Sequence, residues 1–298
     1  MHMKSNKDLL LTFEEQIDLL KKRGLLFSNE TKASHLLENV SYFRLKSYMT
    51  PLMRNQGDCI FLPNVTFEAV YQLYKFDSKL RKLIASELEK IEISVRTQMA
   101  YIISQQSGAF WFANSANFVD EQKHNNLLQS IKDELKRCDD DNITQFNDEQ
   151  NSMPPAWITM EITSFGTLSM LYKQLKPGHT KREVARYYGV SDSVFESWLH
   201  SIVYVRNICA HHSRLWNRPL RVRPLYPKKI AKSFISNTVR SNRIYYILSI
   251  IQYLLQIINP ATSFSQKIKD LFVEFPEINP VVMGFPANWE NEPIWQIQ

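Results

Sequence analysis

Apolar residues recur at every third or fourth position through most of this chain, and few stretches alternate apolar with polar, so the pattern predicts helices. The clearest run extends from Thr66 to Ser107. There Val70, Leu73, Leu80, Ile84, Leu88, Ile91, Val95, Met99 and Ile102 predict one long helix or two abutting ones, ended by Gly108. Ahead of it, Thr12 and Glu15 form a capping box before Ile17, Leu19 and Leu20, with Gly24 as the stop. Further helices are predicted at about Glu30 to Val40, Asp120 to Arg137, Trp157 to Leu175, Lys181 to Tyr188, and Val194 to about Arg214. The last two open on the boxes Thr180/Glu183 and Ser193/Glu196. Gly57 to Pro63 and the polar stretch Asp139 to Pro155 read as loops.

The fold class expected is therefore all-α, and seven glycines in 298 residues fit it. No repeat of fixed period is visible. The expected organisation is one compact helical unit over residues 1–298, with an N-terminal helical part at 1–138, a flexible loop at 139–155 and a basic part at 156–298. The segment beyond Pro260 gives no reading. The most apolar stretch, Tyr245 to Ile258, carries Ser249, Gln252 and Gln256 at helical spacing; it is too short and too polar to span a bilayer, so a core helix is expected and no membrane partner. The first eleven residues run into Glu14 and Glu15 without the apolar core of a signal peptide. Cys59, Cys138 and Cys209 are odd in number and far apart, as for thiols in a reducing compartment, and the expected location is the cytoplasm.

Charge changes the picture. The net charge is +6, yet from Ser197 to Lys269 there is no Asp or Glu among twelve Lys and Arg residues, and the rest of the chain is net acidic. Segregation of this kind builds the local potential that a polyanion reads. Within this block, Arg206-Asn207-Ile208-Cys209-Ala210-His211-His212 falls on a predicted helix. At 100° per residue, Phe195, Trp198, Leu199, Ile202, Val205 and Cys209 make an apolar face, with Arg206 at its edge, roughly 70° from the centre. Asn207, Ala210, His211 and Arg214 continue round from Arg206, and His212 falls about 100° from His211.

Cutting RNA without a metal needs a group that moves a proton near neutral pH and a fixed cation for the charge that builds on phosphate. His211 fits the first role and Arg206 the second, and the ribose 2′-OH beside the scissile phosphate is the nucleophile. Asn207, one turn before His211, is placed to hold the imidazole or a phosphate oxygen. No cofactor and no metal is expected. Downstream, Arg214, Trp216, Arg218, Arg221, Arg223, Tyr226, Lys228 and Lys229 interleave cations with rings, as single-stranded RNA requires, and prolines 219, 224 and 227 make this an extended strap.

The string Arg206-Asn207-x-x-x-His211 resembles the Arg-x4-6-His motif of HEPN ribonucleases. More of the chain resembles the bacterial abortive-infection (Abi) family of the AbiD/AbiF type. The resemblance lies in Phe13 to Leu20, Val40-Ser-Tyr-Phe-Arg-Leu-Lys-Ser-Tyr48, Thr66 to Asp77, Pro155-Ala-Trp157 with Glu161 and Ser164-Phe-Gly166, and Arg206 to Arg218, roughly residues 12 to 220. It implies a HEPN-like helical bundle with added N-terminal and C-terminal helices, and an endoribonuclease of phage defence or toxin-like growth arrest. Arg206 and His211 would be its catalytic pair, with Asn207 between them. It also implies a homodimer with a composite site, RNA as substrate, and an antitoxin protein or small RNA as a restraining partner. Glu161 is a candidate to bridge Arg206, and His212 a second supporting residue.

Three rivals remain on the sequence. A non-catalytic RNA-binding or interaction module would keep the bundle without the activity. A DNA-binding regulator is suggested by Arg182 to Trp198, which has the look of a helix-turn-helix with Gly189 at the turn, but its second helix opens on Asp192, Ser193 and Glu196 with no Lys or Arg before Arg206, so it would repel phosphate. A metal enzyme would need Cys209, His211 and His212 to converge, and they point in different directions without a fourth ligand at recognisable spacing.

Overall fold

The computed structural model describes residues 11–54, 57, 59–139, 153–236 and 238–296. Among them are eleven α-helices and short 3-10 turns, and the only extended pairing is three isolated bridges, Leu26 with Thr66, Met53 with Phe61, and Phe118 with Leu175. The helices are α1 (Phe13–Lys22), α2 (Glu30–Val40), α3 (Tyr42–Met49), α4 (Phe67–Ser107), α5 (Glu121–Lys136) and α6 (Ala156–Ile162). They continue as α7 (Phe165–Gln174), α8 (His179–Tyr187), α9 (Asp192–Ala210), α10 (Ile244–Ile258) and α11 (Phe264–Glu274). The fold is all-α. The expected loop at 139–155 falls mostly on residues 140–152, outside the described residues.

The long apolar stripe forms a single helix. α4 has 41 residues, about 60 Å at 1.5 Å per residue, because nothing inside it breaks the ladder and both ends are capped. Thr66 Oγ1 accepts from Ala69 N (3.1 Å), and Gly108, at φ 82°, leaves the helix through a conformation that glycine adopts freely. α4 is the axis of the molecule: α3, α6, α8, α9, α10 and α11 all pack against it. Its buried stripe runs Val70, Leu73, Leu80, Ile84, Leu88, Ile91, Val95, Met99.

α10 is the buried core helix expected from its apolar run, covered on every side. Gln256 Nε2 donates to the Ile294 carbonyl (3.2 Å) and Ser249 Oγ to Tyr245 O (3.0 Å), whereas the buried Gln252 Oε1 and Tyr245 Oη have no hydrogen-bond partner among the described residues. Part of the cover comes from the C-terminal turns, whose Phe285 and Trp295 rings lie 4.6 and 5.9 Å from that of Tyr245. α11 adds an ion pair across the axis. Burial alone would raise the Glu87 carboxyl, but hydrogen bonds from Lys267 (2.7 Å) and Lys90 (2.6 Å) outweigh it and hold the group below its ordinary 4.5. A carboxylate with a lowered pKa in the folded state adds stability that is complete above its unfolded value and lost as pH falls through the folded one. The Glu87→Gln variant is therefore expected to melt below the unaltered protein at pH 7 and to converge with it in acid. Parallel melting curves at all pH values would contradict this.

Several boundaries differ from those the pattern predicts. The expected helix from Trp157 to Leu175 is two, α6 and α7, because Thr163 and Ser164 are extended and Ser164 Oγ starts α7 by accepting from Thr167 N (3.2 Å). α9 is capped by Ser191 (3.4 Å to Val194 N), not by the box at Ser193. α8 follows Gly178 with no side-chain cap, and Thr180 instead donates to Gln106 Oε1 (2.6 Å). α9 also stops at Ala210, four residues before the expected Arg214.

Candidate functional site

The stop at Ala210 shapes the site. His211 caps α9 with its N–H on Asn207 O (3.0 Å), and His212 turns into the left-handed region at φ 53° with its N–H on Cys209 O (3.0 Å). Such a conformation costs a non-glycine residue about 1–2 kcal/mol, so neighbours must hold it. Arg44 of α3 does so by donating from Nη1 to the His212 carbonyl (2.9 Å), and Arg214 Nη1 donates to the Ser47 carbonyl (2.7 Å). Burial lowers the Arg214 pKa, though far from enough to discharge it.

Beneath this turn lies a buried ionic knot. Asp77 of α4 is fully enclosed; it accepts from the backbone N–H groups of Leu215 (3.1 Å) and Trp216 (2.6 Å), from Tyr48 Oη (2.6 Å) and from Arg81 Nη1. Arg81 Nη1 also donates to Tyr48 Oη (3.0 Å), so one carboxylate ties α3, α4 and the chain leaving α9 together.

Two grooves flank the end of α9. The first, of about 490 Å³, opens between α4 and α9 and is lined by Lys82, Glu89, Glu92, Arg206 and His212. The second, of about 760 Å³, opens against α3 and is lined by Arg44, Ser47, His211, His212, Arg214 and Arg218. Arg206 and His211 thus border neighbouring grooves of one chain, and His212 is common to both. Arg206 is 41% exposed at its side chain, with Nη2 4.0 Å from Glu92 Oε2, while Arg96 takes the other oxygen of Glu92. The guanidinium is held at the rim without being neutralised by close pairing.

The acidic neighbour of Arg206 is therefore Glu92, where the sequence suggested Glu161. Glu161 is exposed, and its main-chain carbonyl accepts from Arg96 (2.5 Å). Asn207 meets the Arg206 guanidinium (3.4 Å) through its side chain and touches His211 only through its backbone, so it restrains the cation rather than the imidazole. Burial pushes the Cys209 thiol up to about 12, which removes it as a nucleophile at neutral pH. Among the described residues no group of three His, Cys, Asp or Glu side chains is arranged to hold a metal ion.

Beyond Arg214 the described residues up to 243 form no helix, and the chain returns along α9. Leu225 accepts from Trp198 Nε1 (3.0 Å) and donates its N–H to Ser197 Oγ (2.9 Å), and Ala231 N donates to Gly189 O (3.1 Å). Arg221, Arg223, Tyr226, Lys228 and Lys229 are exposed along this strap. Trp216 is not, at 6% exposure, so its ring belongs to the core and offers no face to a base. Arg218 lines the second groove and donates to Arg214 O (3.3 Å). The strap also covers the turn at Gly189, where a Cβ would stand 2.5 Å from that of Ala231. The strap thus lies against the turn before α9 and against Ser197 and Trp198 of the helix itself.

A family model described as Abi-like protein matches residues 35–217, more than half of the chain. The chain belongs to the Abi-like protein family. The match takes in α3, the knot at Asp77, and α9 through Trp216, which are the parts that shape the two grooves. Membership in the Abi-like family is what suggests an abortive-infection role in phage defence. No curated protein and no solved structure matches. No helix among the described residues is long and apolar enough to cross a membrane.

Reasoning from sequence singled out Arg206, Asn207 and His211 as candidates and gave no role to Arg44, Tyr48, Asp77, Arg81 and Glu92, which the structure places around them. A signal was present for two of these: Asp77 and Arg81 lie one turn apart on the face that also carries Phe76, Leu80 and Ile84. Charges at that spacing in an apolar stripe are nearly always partners.

Proposed function

We propose that this protein is a metal-independent endoribonuclease of phage defence that cleaves single-stranded RNA. The observation that carries the reading is the placement of Arg206 and His211 at the exposed end of α9, both accessible and framed by Arg44, Arg214 and Arg218. His211 takes the proton of the ribose 2′-OH as that oxygen attacks the adjacent phosphorus. The new 2′-O–P bond forms as the P–5′-O bond breaks, the leaving oxygen takes a proton, and the products are a 2′,3′-cyclic phosphate and a 5′-OH. Arg206 meets the charge that grows on the non-bridging oxygens, held in place by Asn207 and only loosely countered by Glu92. His212 and Arg44 keep the turn that presents His211.

One His211 serves one proton transfer at a time. A homodimer that sets the ends of two α9 helices side by side supplies a second, one histidine acting as base and the other as acid, and it places Arg206 of one copy beside His211 of the other. An antitoxin protein or small RNA that covered the exposed Arg221 and Arg223 would restrain the activity. The arrangement within one chain also favours a second reading, a binding module without cleavage, because Arg206 and His211 border different grooves.

Single 2′-deoxy substitutions separate the two. An RNA cut at a mapped position is expected to become resistant when the nucleotide 5′ to that phosphate lacks its 2′-OH. Cleavage there at an undiminished rate would remove the mechanism.

A further inference from the structure

At the end of α9 opposite His211 the structure holds a third cavity, a cleft of about 950 Å³. Arg182 and Arg186 of α8 form one wall, the turn from Gly189 into Ser191 and Asp192 forms the floor, and the strap closes the far side with Tyr226, Lys228 and Lys229. Four cations face one carboxylate, Asp192, whose Oδ1 already accepts from Ser193 N (2.9 Å). Arg186 pairs with Glu183 of its own helix (2.7 Å), and among the described residues Arg182, Lys228 and Lys229 make no ion pair.

The walls are built rather than incidental. Lys181, buried on α8, donates to Glu196 Oε2 (2.9 Å) and to the Lys173 carbonyl (3.0 Å), which fixes α8 to α9. Gly189, at φ 66°, lets the strap approach its backbone so closely that a Cβ would meet Ala231 and the Tyr253 hydroxyl, and the Tyr253 hydroxyl is itself 3.4 Å from Gly189 O. The cleft is thus preformed, with a cationic side and a side made of Tyr226, Val190 and Ile230. At the start of α9 the N–H groups of Ser193 and Val194 are already taken by Asp192 Oδ1 and Ser191 Oγ, so the positive charge of the cleft comes from the side chains of α8 and the strap.

We propose that this cleft is a second binding site, for a nucleoside phosphate, with the phosphate on Arg182, Lys228 and Lys229 and the base against the Tyr226 ring. A phosphate with an attached ring is the ligand that uses both sides. The nucleotide comes either free from solution or as part of an RNA strand. Ser191 and Arg206 are fifteen positions apart on one helix, about 22 Å, and the strap between the two ends exposes Arg221 and Arg223, so a strand has a cationic path from one site to the other. The site stands whether or not His211 supports cleavage.

Calorimetric titration of the intact protein tests it, with each of the four nucleoside triphosphates in turn and with a short mixed-sequence 2′-O-methyl RNA that cannot be cleaved by its own 2′-oxygen. The variants are Arg182→Ala with Lys229→Ala, Tyr226→Ala, and Arg206→Ala as the control at the other end of α9. Arg182, Tyr226 and Lys229 are exposed, and equal melting temperatures verify that the fold is kept. Binding weakened about tenfold or more by the Arg182/Lys229 pair, and weakened by Tyr226→Ala, supports the site. If a triphosphate shows the loss while Arg206→Ala leaves its binding unchanged, the ligand is a free nucleotide. If only the RNA shows it, the site holds part of a strand. Affinities for every probe within about twofold of the unaltered protein in both cleft variants, or no binding of any probe by the unaltered protein, would overturn the proposal.

Discussion

Alanine in place of Asp77 is expected to lower the free energy of unfolding by about 3–5 kcal/mol, the usual cost of leaving one member of a buried ion pair alone. Arg81 would keep its charge at 5% side-chain exposure with no carboxylate to meet it, and the N–H groups of Leu215 and Trp216 would lose their acceptor. Total stability of a domain is about 5–15 kcal/mol, so the variant should unfold at a much lower urea concentration. Asp77→Asn is predicted to fall between the two. An amide keeps the shape, but one side of it must present N–H to donors, either the backbone pair or Arg81. The double variant Asp77→Leu with Arg81→Met should recover part of the loss, because the charge stranded by the first change is removed by the second. A urea midpoint for Asp77→Ala close to that of the unaltered protein would contradict the knot as the anchor of the turn after His211.

The second large effect is on chemistry. His211→Ala is expected to slow RNA cleavage by about 10²–10⁴-fold, the range for losing a general acid or base, and Arg206→Ala by about 10²–10³-fold through loss of charge stabilisation. Both should leave the melting temperature nearly unchanged, since His211 is exposed and Arg206 lies at a rim. His212→Ala is the informative contrast. Its main-chain carbonyl, not its ring, carries the contact to Arg44, so the change should cost less than His211→Ala. Arg221 and Arg223 variants should weaken RNA binding and its salt dependence while sparing the rate at saturation. Equal rates for the unaltered protein and His211→Ala would remove the imidazole from the mechanism.

Most of the fold was legible because the start and stop signals are local. The capping box Thr12/Glu15 forms as read, with Glu15 N on Thr12 Oγ1 (3.2 Å), and α2, α4 and α10 fall within a residue or so of the predicted spans. α3 was missed for a physical reason: it starts at Ser41, at φ 72°, with no side-chain cap, and its eight residues are too few to show a period. α11 likewise begins without a cap hydrogen bond, and the turns at Pro280–Met283, Trp289–Asn291 and Pro293–Trp295 have no repeat to find. α9 ends at a histidine in the left-handed region where glycine is the usual signal, which hid the stop. The candidate pair could be read because one helix carries it, whereas its neighbours could not. Glu92 meets Arg206 across 114 positions of chain and Arg44 meets His212 across 168, and no spacing rule reaches that far. Trp216 misled for the related reason that an aromatic beside cations reads alike in a strap or in a core; packing alone decided it.

The most direct test of the central claim is to incubate the purified protein with mixed-sequence single-stranded RNA in excess EDTA, beside His211→Ala prepared identically, and to identify the product ends. The account predicts cleavage by the unaltered protein alone, leaving 2′,3′-cyclic phosphate and 5′-OH ends. RNA that is bound and stays intact, or products ending in 5′-phosphate, would contradict it.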